Sequence, residues 1–334
     1  MSQIFSQIEL RIVPIKDGDL RYQLLTITIL RPGDLFVERE GSRGKSLLAR
    51  IQPEELEQLR LPEAWDESRG VMLFGNAPTW LYGRLVALCR GAAWVGCYNV
   101  RQGGAIVVAS RVPFPDVGAV VPLRSRPQPG MAIAIGGAPN SGKSVFAHAL
   151  RSALSQQMSS YLHRANWDGE GNWSYETEDQ TVARQLVERG KFKIHLRPNG
   201  EALLQSYFEY HAEATRHIRA VVDVTLVDLG GRPDAVKLPV VSACSHFVII
   251  SRDAEQVPLW LELFRGLQPL VVIHSQLAEG CRVVRSQPIL EVEAGPWLRE
   301  REATVPMMVL ERILKACEGS DKPSTTMRSP KDHL

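Results

Sequence analysis

The chain has 334 residues, 44% hydrophobic and 23% charged, with a formal net charge of +2. Such a composition belongs to a globular protein with room for two domains, and it excludes a disordered chain and a strongly basic binder of duplex DNA. No apolar run is long enough to span a bilayer and the N-terminus lacks a basic-then-apolar leader pattern, so a cytoplasmic protein with no membrane partner is expected.

In chain order, Leu24–Leu30 (LLTITIL) has the β-branched bias of a strand. Pro53–Leu59 reads as a helix opened by proline, and Val71–Phe74 as a short strand ending in Gly75-Asn76-Ala77-Pro78. Thr79 is expected to cap a helix over Trp80–Arg90, with Trp80, Leu81, Leu85 and Val86 spaced as its core face. Ala93–Val100 and Ala105–Ser110 read as two strands joined by a tight Arg101–Gly104 turn. This β-α-β-β order is half of a ferredoxin-like sandwich. All eight histidines lie beyond residue 147. The first part is therefore expected to work without His as acid, base or metal ligand. The five cysteines (Cys89, Cys97, Cys244, Cys281, Cys317) form no C-x-x-C and read as reduced, mostly buried thiols.

Leu123–Gly130 (LRSRPQPG) interrupts regular structure. The expected division is a first domain over 1–124, a second over 131–317, and a disordered tail over 318–334. The fold class is α/β: an N-terminal α+β ferredoxin-like domain, then a P-loop NTPase domain with a mainly parallel sheet.

The second part opens with the most specific motif. Gly137-Ala138-Pro139-Asn140-Ser141-Gly142-Lys143-Ser144 is G-x-x-x-x-G-K-S, the phosphate-binding loop. It follows an apolar strand, Met131–Ile135, and precedes a helical segment, Val145–Leu154. In that context the backbone N–H groups around Gly137, Asn140, Ser141 and Gly142 face a polyphosphate. Lys143 supplies charge to it and Ser144 a hydroxyl to Mg²⁺. Further on, Tyr161–Trp167 reads as a strand ending at Asp168, Gln180–Glu188 as a helix and Phe192–Leu196 as a strand. Glu201–Arg219 reads as a long helix and Val222–Val227 as a strand running into Asp228-Leu229-Gly230-Gly231. Phe247–Ile250 and Leu270–Ile273 are strands around a helix at Val257–Phe264.

Asp228, directly after an apolar strand, is placed to hold Mg²⁺. Asp168 stands where small P-loop kinases keep the carboxylate that takes a proton from the phosphate acceptor. Arg164, Arg197, Arg232 and Arg252 lie near strand ends, any of them able to meet a transferring phosphoryl group. Asp228–Gly231 also matches a D-x-x-G pattern, but no N-K-x-D follows, which favours ATP over GTP.

Gly70–Val108 resembles the small CRISPR-associated ring-nuclease family of type III systems. The runs Gly75-Asn76-Ala77-Pro78-Thr79-Trp80-Leu81 and Tyr98-Asn99-Val100-Arg101-Gln102-Gly103-Gly104-Ala105 carry most of the resemblance, which spans roughly residues 20 to 122. Some members are fused to a C-terminal P-loop ATPase domain, the layout seen here. The resemblance implies a ferredoxin-like fold and an antiviral hydrolase that binds cyclic tetra-adenylate and linearises it, generally with Mn²⁺, between subunits of a homo-oligomer. It places Asn99 and Arg101 at the ring phosphates, with Arg101 matching the family's arginine. Asn99 stands where the family commonly has Asp, and the family's histidines near the helix end have no counterpart in Leu88-Cys89-Arg90-Gly91-Ala92. Two other readings stay open: a receptor that binds the cyclic nucleotide uncut and gates an ATPase, and a P-loop small-molecule kinase using Asp168.

Overall fold

The structure is a computed structural model and describes residues 2–5, 8–17, 20–29, 36–41, 44–49, 56–123, 128–166, 198–298 and 303–320. Among the described residues the strands form two seven-stranded sheets, with one hairpin apart from them, β4 (Phe36–Gly41) and β5 (Gly44–Ala49).

The first sheet contains β1 (Ser2–Phe5), β2 (Ile8–Asp17), β3 (Leu20–Ile29), β6 (Gly70–Gly75), β7 (Trp94–Asn99), β8 (Gly104–Ser110) and β9 (Val120–Pro122), in the order β1-β2-β3-β6-β7-β8-β9. β3, β6 and β7 run parallel, and antiparallel strands extend the sheet on both sides. Helix α1 (Thr79–Leu88) makes the crossover from β6 to β7. These two strands are direct neighbours, whereas the split unit of a ferredoxin-like sandwich leaves a strand between them. The two faces follow the period-2 alternation of strand side chains. Val71, Leu73 and Val95 meet Leu81 and Leu85 of α1, while Met72, Phe74 and Trp94 point to the opposite face.

Several local expectations shift. Pro78, not Thr79, sits at the cap position of α1, and its carbonyl accepts from the N–H groups of Leu81 and Tyr82. Trp80 is 41% exposed rather than core, because Leu81 and Leu85 occupy the stripe that faces the sheet. Of the five thiols only Cys89 and Cys244 are buried, and Cys281 is exposed. The helix expected over Pro53–Leu59 falls partly outside the described residues.

The second sheet contains β10 (Met131–Gly136), β11 (Ser160–Arg164), β12 (Val224–Asp228), β13 (His246–Ser251), β14 (Gln268–Ser275), β15 (Gly280–Arg285) and β16 (Leu290–Gly295), in the order β11-β12-β10-β13-β14-β16-β15. Only β15, at the edge, is antiparallel to its neighbour. The helices are α2 (Lys143–Ser155), α3 (Gly200–Arg219), α4 (Leu238–Val241), α5 (Val257–Leu263) and α6 (Met307–Ser320). On β10, Ile133 and Ile135 pack with Phe146 of α2 and Val309 of α6. Its small residues Ala132 and Ala134 leave room on the other face for Phe208, Trp260 and Phe264. A Cβ on Gly136 would lie 2.3 Å from the Trp260 ring, so glycine is required there. α6 runs to Ser320, three residues into the stretch expected as a disordered tail, whose remainder lies outside the described residues.

The two sheets share a core. Tyr22, Leu24, Met72, Phe74 and Trp94 of the first pack against Ile218 of α3, Val221, Val222 and Tyr161 of β11. Phe74 stacks on Tyr161 with centroids 5.1 Å apart, and Asn76 Nδ2 donates to the Leu162 carbonyl at 3.2 Å. The face of the first sheet that α1 leaves bare is thus covered by the second sheet's own elements.

Candidate functional site

The P-loop lies at the carboxyl edge of the second sheet, where chain order reverses. β10 is flanked by β12 on one side and β13 on the other, the position at which open α/β sheets hold ligands. The loop's backbone depends on its glycines. Gly137 (φ 141°) and Gly142 (φ 79°) adopt positive-φ conformations that favour glycine. A Cβ on Gly137 would lie 1.8 Å from the Ile250 carbonyl oxygen. Asn140 has φ 56°, the left-handed region that Asn tolerates best after glycine.

Lys143 and Ser144 open α2, so both start at the positive end of its dipole. The buried Lys143 Nζ donates to the Ala138 carbonyl at 2.6 Å, which folds the lysine back along the loop. Ser144 Oγ donates to Asp228 Oδ2 at 3.0 Å, and Asp228 Oδ1 accepts from Gly230 N–H at 3.0 Å. Asp228 is buried at the last position of β12. Two hard oxygens at that spacing fit adjacent corners of an Mg²⁺ octahedron, whose bonds are about 2.1 Å long. Ser144 and Asp228 are the residues that would hold Mg²⁺ here. Ser141 also has a side-chain role, apart from its backbone N–H. Its hydroxyl is buried and accepts from Arg252 N–H at 3.0 Å, which ties the loop to the end of β13.

Sequence reading missed Lys237, which is 1% exposed. Its ammonium donates to the carbonyls of Leu229 (2.7 Å) and Arg232, and lies 5.4 Å from the centroid of the Trp260 ring. It pins the loop after Asp228, where Gly231 packs against Pro139 of the P-loop. A lysine nine residues from a strand end carries no local sign of this. Asp168, Arg197 and the segments expected over Gln180–Glu188 and Phe192–Leu196 lie outside the described residues. Arg164 is in register with Asp228 across β11 and β12.

A second constellation is built on the β7–β8 turn. Asn99 Oδ1 accepts from Arg101 N–H at 2.9 Å, and the Asn99 carbonyl accepts from the N–H groups of Gln102 and Gly103. Asn99 therefore shapes the turn, the role short amides fill best. The Arg101 guanidinium lies 5.8 Å over the Tyr210 ring of α3 and makes no ion pair among the described residues. His217 of α3 stands with Nδ1 2.7 Å from the Val100 carbonyl oxygen, and Tyr98 OH donates to the His217 carbonyl at 3.2 Å. The first part has no histidine of its own, and packing of α3 brings this one to the turn from 117 residues away. Beside the turn, at the carboxyl ends of β6 and β7, is a cavity of about 420 Å³.

Further along the interface, His163 Nε2 and His211 Nδ1 are 2.9 Å apart. Burial pushes both imidazoles well below the usual histidine range, so both are neutral. Among the described residues no three His, Cys, Asp or Glu side chains are grouped to hold a metal ion, and no helix is long and apolar enough to cross a membrane.

The chain is similar over part of its length to known proteins. An uncharacterized protein of Aquifex aeolicus (strain VF5) is 35% identical over 74 residues, which are 21% of this chain and 67% of that protein. Solved structures to which the chain is similar include a GTPase in apo form from Pyrococcus abyssi, 13% identical with a TM-score of 0.33 over 43% of this chain and 66% of that one. They also include a putative plasmid partition protein of Borrelia burgdorferi B31 bound to AMPPNP, 12% identical with a TM-score of 0.36 over 56% and 99%. A third is a DUF1611 family protein of Anabaena variabilis, 11% identical with a TM-score of 0.31 over 63% and 69%. Residues 45–122, which include α1 and the Asn99–Arg101 turn, match the family described as CRISPR-associated protein (Cas_csx3).

Proposed function

We propose that this protein acts in type III CRISPR defence, binding cyclic tetra-adenylate at the β7–β8 turn and ATP with Mg²⁺ at the P-loop. The observation that carries the first half is the Cas_csx3 match over a stretch that contains Arg101, a guanidinium without an ion pair among the described residues. For the second half it is the Ser144–Asp228 pair beside Lys143 at the carboxyl edge of a parallel sheet. ATP bound there meets the N-terminal N–H groups of α2, with Lys143 leaving the Ala138 carbonyl for the β/γ-phosphates. The division into a first unit ending near residue 124 and a second starting at 131 is part of this proposal.

Cleavage of the ring requires no protein nucleophile. A ribose 2′-oxygen held in line attacks the adjacent phosphorus, the P–O5′ bond breaks, and a 2′,3′-cyclic phosphate and a 5′-hydroxyl result. Arg101 stabilises the charge that develops on the phosphoryl oxygens. A second reading, a receptor that holds the ring uncut, is favoured by one observation. Asn99 replaces the family's acid, and its oxygen is already engaged by Arg101 N–H.

The test is incubation of the purified protein with radiolabelled cyclic tetra-adenylate, with and without Mn²⁺, Mg²⁺ and ATP, resolved on a gel. Linear di-adenylate that disappears in Arg101→Ala supports the ring nuclease. Tight binding of intact ring supports the receptor. Absence of binding to a cyclic oligoadenylate of any size removes the first half, and unchanged ATP affinity in Lys143→Ala removes the second.

A further inference from the structure

The cavity beside the β7–β8 turn draws its walls from both sheets. Phe74, Tyr98, Asn99 and Val108 come from the first, Tyr82 from its helix α1, and Tyr161 from β11 of the second. Its volume of about 420 Å³ falls within the range of small-molecule sites, about 300–1,000 Å³. We propose that this cavity is a purine-base pocket completed by Tyr161, so that the second sheet supplies a wall of the first sheet's ligand site. The inference rests on the nucleotide reading of the Asn99–Arg101 turn given above and deepens it.

The walls are aromatic and already oriented. Tyr82 OH donates to the Gly75 carbonyl at 2.8 Å, and Tyr98 OH to the His217 carbonyl at 3.2 Å. With their hydroxyls committed, both rings offer apolar surface to an occupant at little cost in side-chain freedom. Tyr161 is held by its stack on Phe74 and by the Asn76–Leu162 hydrogen bond beside it. Flat aromatic walls suit a flat heterocycle, whose stacking on a side-chain ring tolerates any base.

The polar groups select among heterocycles. Asn99 has spent its oxygen on Arg101 N–H, and its Nδ2 makes no hydrogen bond among the described residues. What remains for a ligand is therefore a donor, matched to a ring nitrogen with a lone pair such as purine N1, N3 or N7. Two residues on, the Arg101 guanidinium is the partner for the phosphodiester joined to that base. The occupant would also touch the strand that ends in register with Asp228.

Two sources share this chemistry, a cyclic oligoadenylate and a free adenine mononucleotide, so the titration has two arms. Full-length protein is titrated calorimetrically with cyclic tetra-adenylate and, separately, with AMP in a Lys143→Ala background that removes the P-loop as a competing site. Tyr161→Leu strips one wall. Val108→Trp fills the mouth from a position that is 42% exposed, where a larger side chain leaves the core intact. Both variants are expected to weaken binding about ten- to hundredfold, the scale of one base stacked on an aromatic ring. Wild-type affinity for the ring in both variants, with binding lost in Arg101→Ala, overturns the base pocket while leaving the phosphate reading intact. Binding of AMP but not of the ring, lost in Tyr161→Leu, keeps the pocket and overturns the cyclic-nucleotide reading. Failure of the wild-type protein to bind either ligand overturns both.

Discussion

Asp228→Asn separates a metal ligand from a structural acid. In the protein as it stands the Asp228 carboxylate is 2% exposed and accepts from Ser144 Oγ and Gly230 N–H, both at 3.0 Å. Asparagine keeps one oxygen for Gly230 N–H and turns an NH₂ toward the serine hydroxyl, which can accept. The substitution also removes a buried negative charge, so the ligand-free protein is expected to stay within about 1 kcal/mol of wild type. The ligand-bound protein should differ more. A nucleotide at a hundred times its Kd stabilises by about 2.7 kcal/mol. At about 2–4 °C per kcal/mol for a unit of this size, that is a rise of about 5–10 °C in Tm. The assay is thermal denaturation with and without AMPPNP and Mg²⁺. Wild type is expected to show the full, Mg²⁺-dependent rise, and Asp228→Asn little or none from an unchanged starting Tm. A variant that keeps the whole rise would refute the assignment of Asp228 to the metal. One that starts about 3 kcal/mol less stable would make Asp228 a structural residue.

Gly142→Ala would force a side chain onto φ 79° with its Cβ 2.2 Å from that of Trp297, and a loss of about 3 kcal/mol or more is expected by urea denaturation. Lys237→Met keeps the length and the contact with Trp260 but strands the carbonyls of Leu229 and Arg232; about 2–3 kcal/mol and weakened AMPPNP binding are expected, with intact affinity arguing against a pinned loop. His163 and His211 are held neutral by burial, so below the ordinary histidine value of 6.5 the unfolded chain takes up protons that the folded protein refuses. The stability this pair gives is complete above that pH and is lost as pH falls below it. The urea midpoint should therefore drop between pH 7.5 and 5.0 and drop less in His163→Gln; a wild-type midpoint that does not move would contradict the neutral pair.

The nucleotide-site motif was legible because its chemistry is local. Eight consecutive residues specify the P-loop, and Asp228 stands out by following four buried strand residues, Val224 to Val227. The β-α-β-β order was legible for the same reason, since periodicity is read in windows of ten residues or so. What windows of that length do not contain is the partner of each face. Trp80 and Leu81 are adjacent and both apolar, and only the position of the sheet beneath α1 decides that Leu81 is buried and Trp80 is not. The expected division into two domains hid still more. His217 holds a turn 117 residues earlier, and Asn76 donates to a strand 86 residues later. These contacts come from β11 and α3, and both elements also reach the nucleotide loop. Tyr207 OH donates to the Asn166 carbonyl at 2.8 Å, and Asn166 Oδ1 lies where a Cβ on Gly230 would approach to 2.5 Å. A chain divided at Leu123–Gly130 assigns each site to its own half. The packing instead gives both sites the same two supports, so a ligand that moves β11 or α3 at one of them is felt at the other. Coupling of that kind is measurable as a change in cyclic tetra-adenylate affinity on adding AMPPNP with Mg²⁺, and it must be reciprocal. Equal affinities in both directions would mean that β11 and α3 only hold the two halves together.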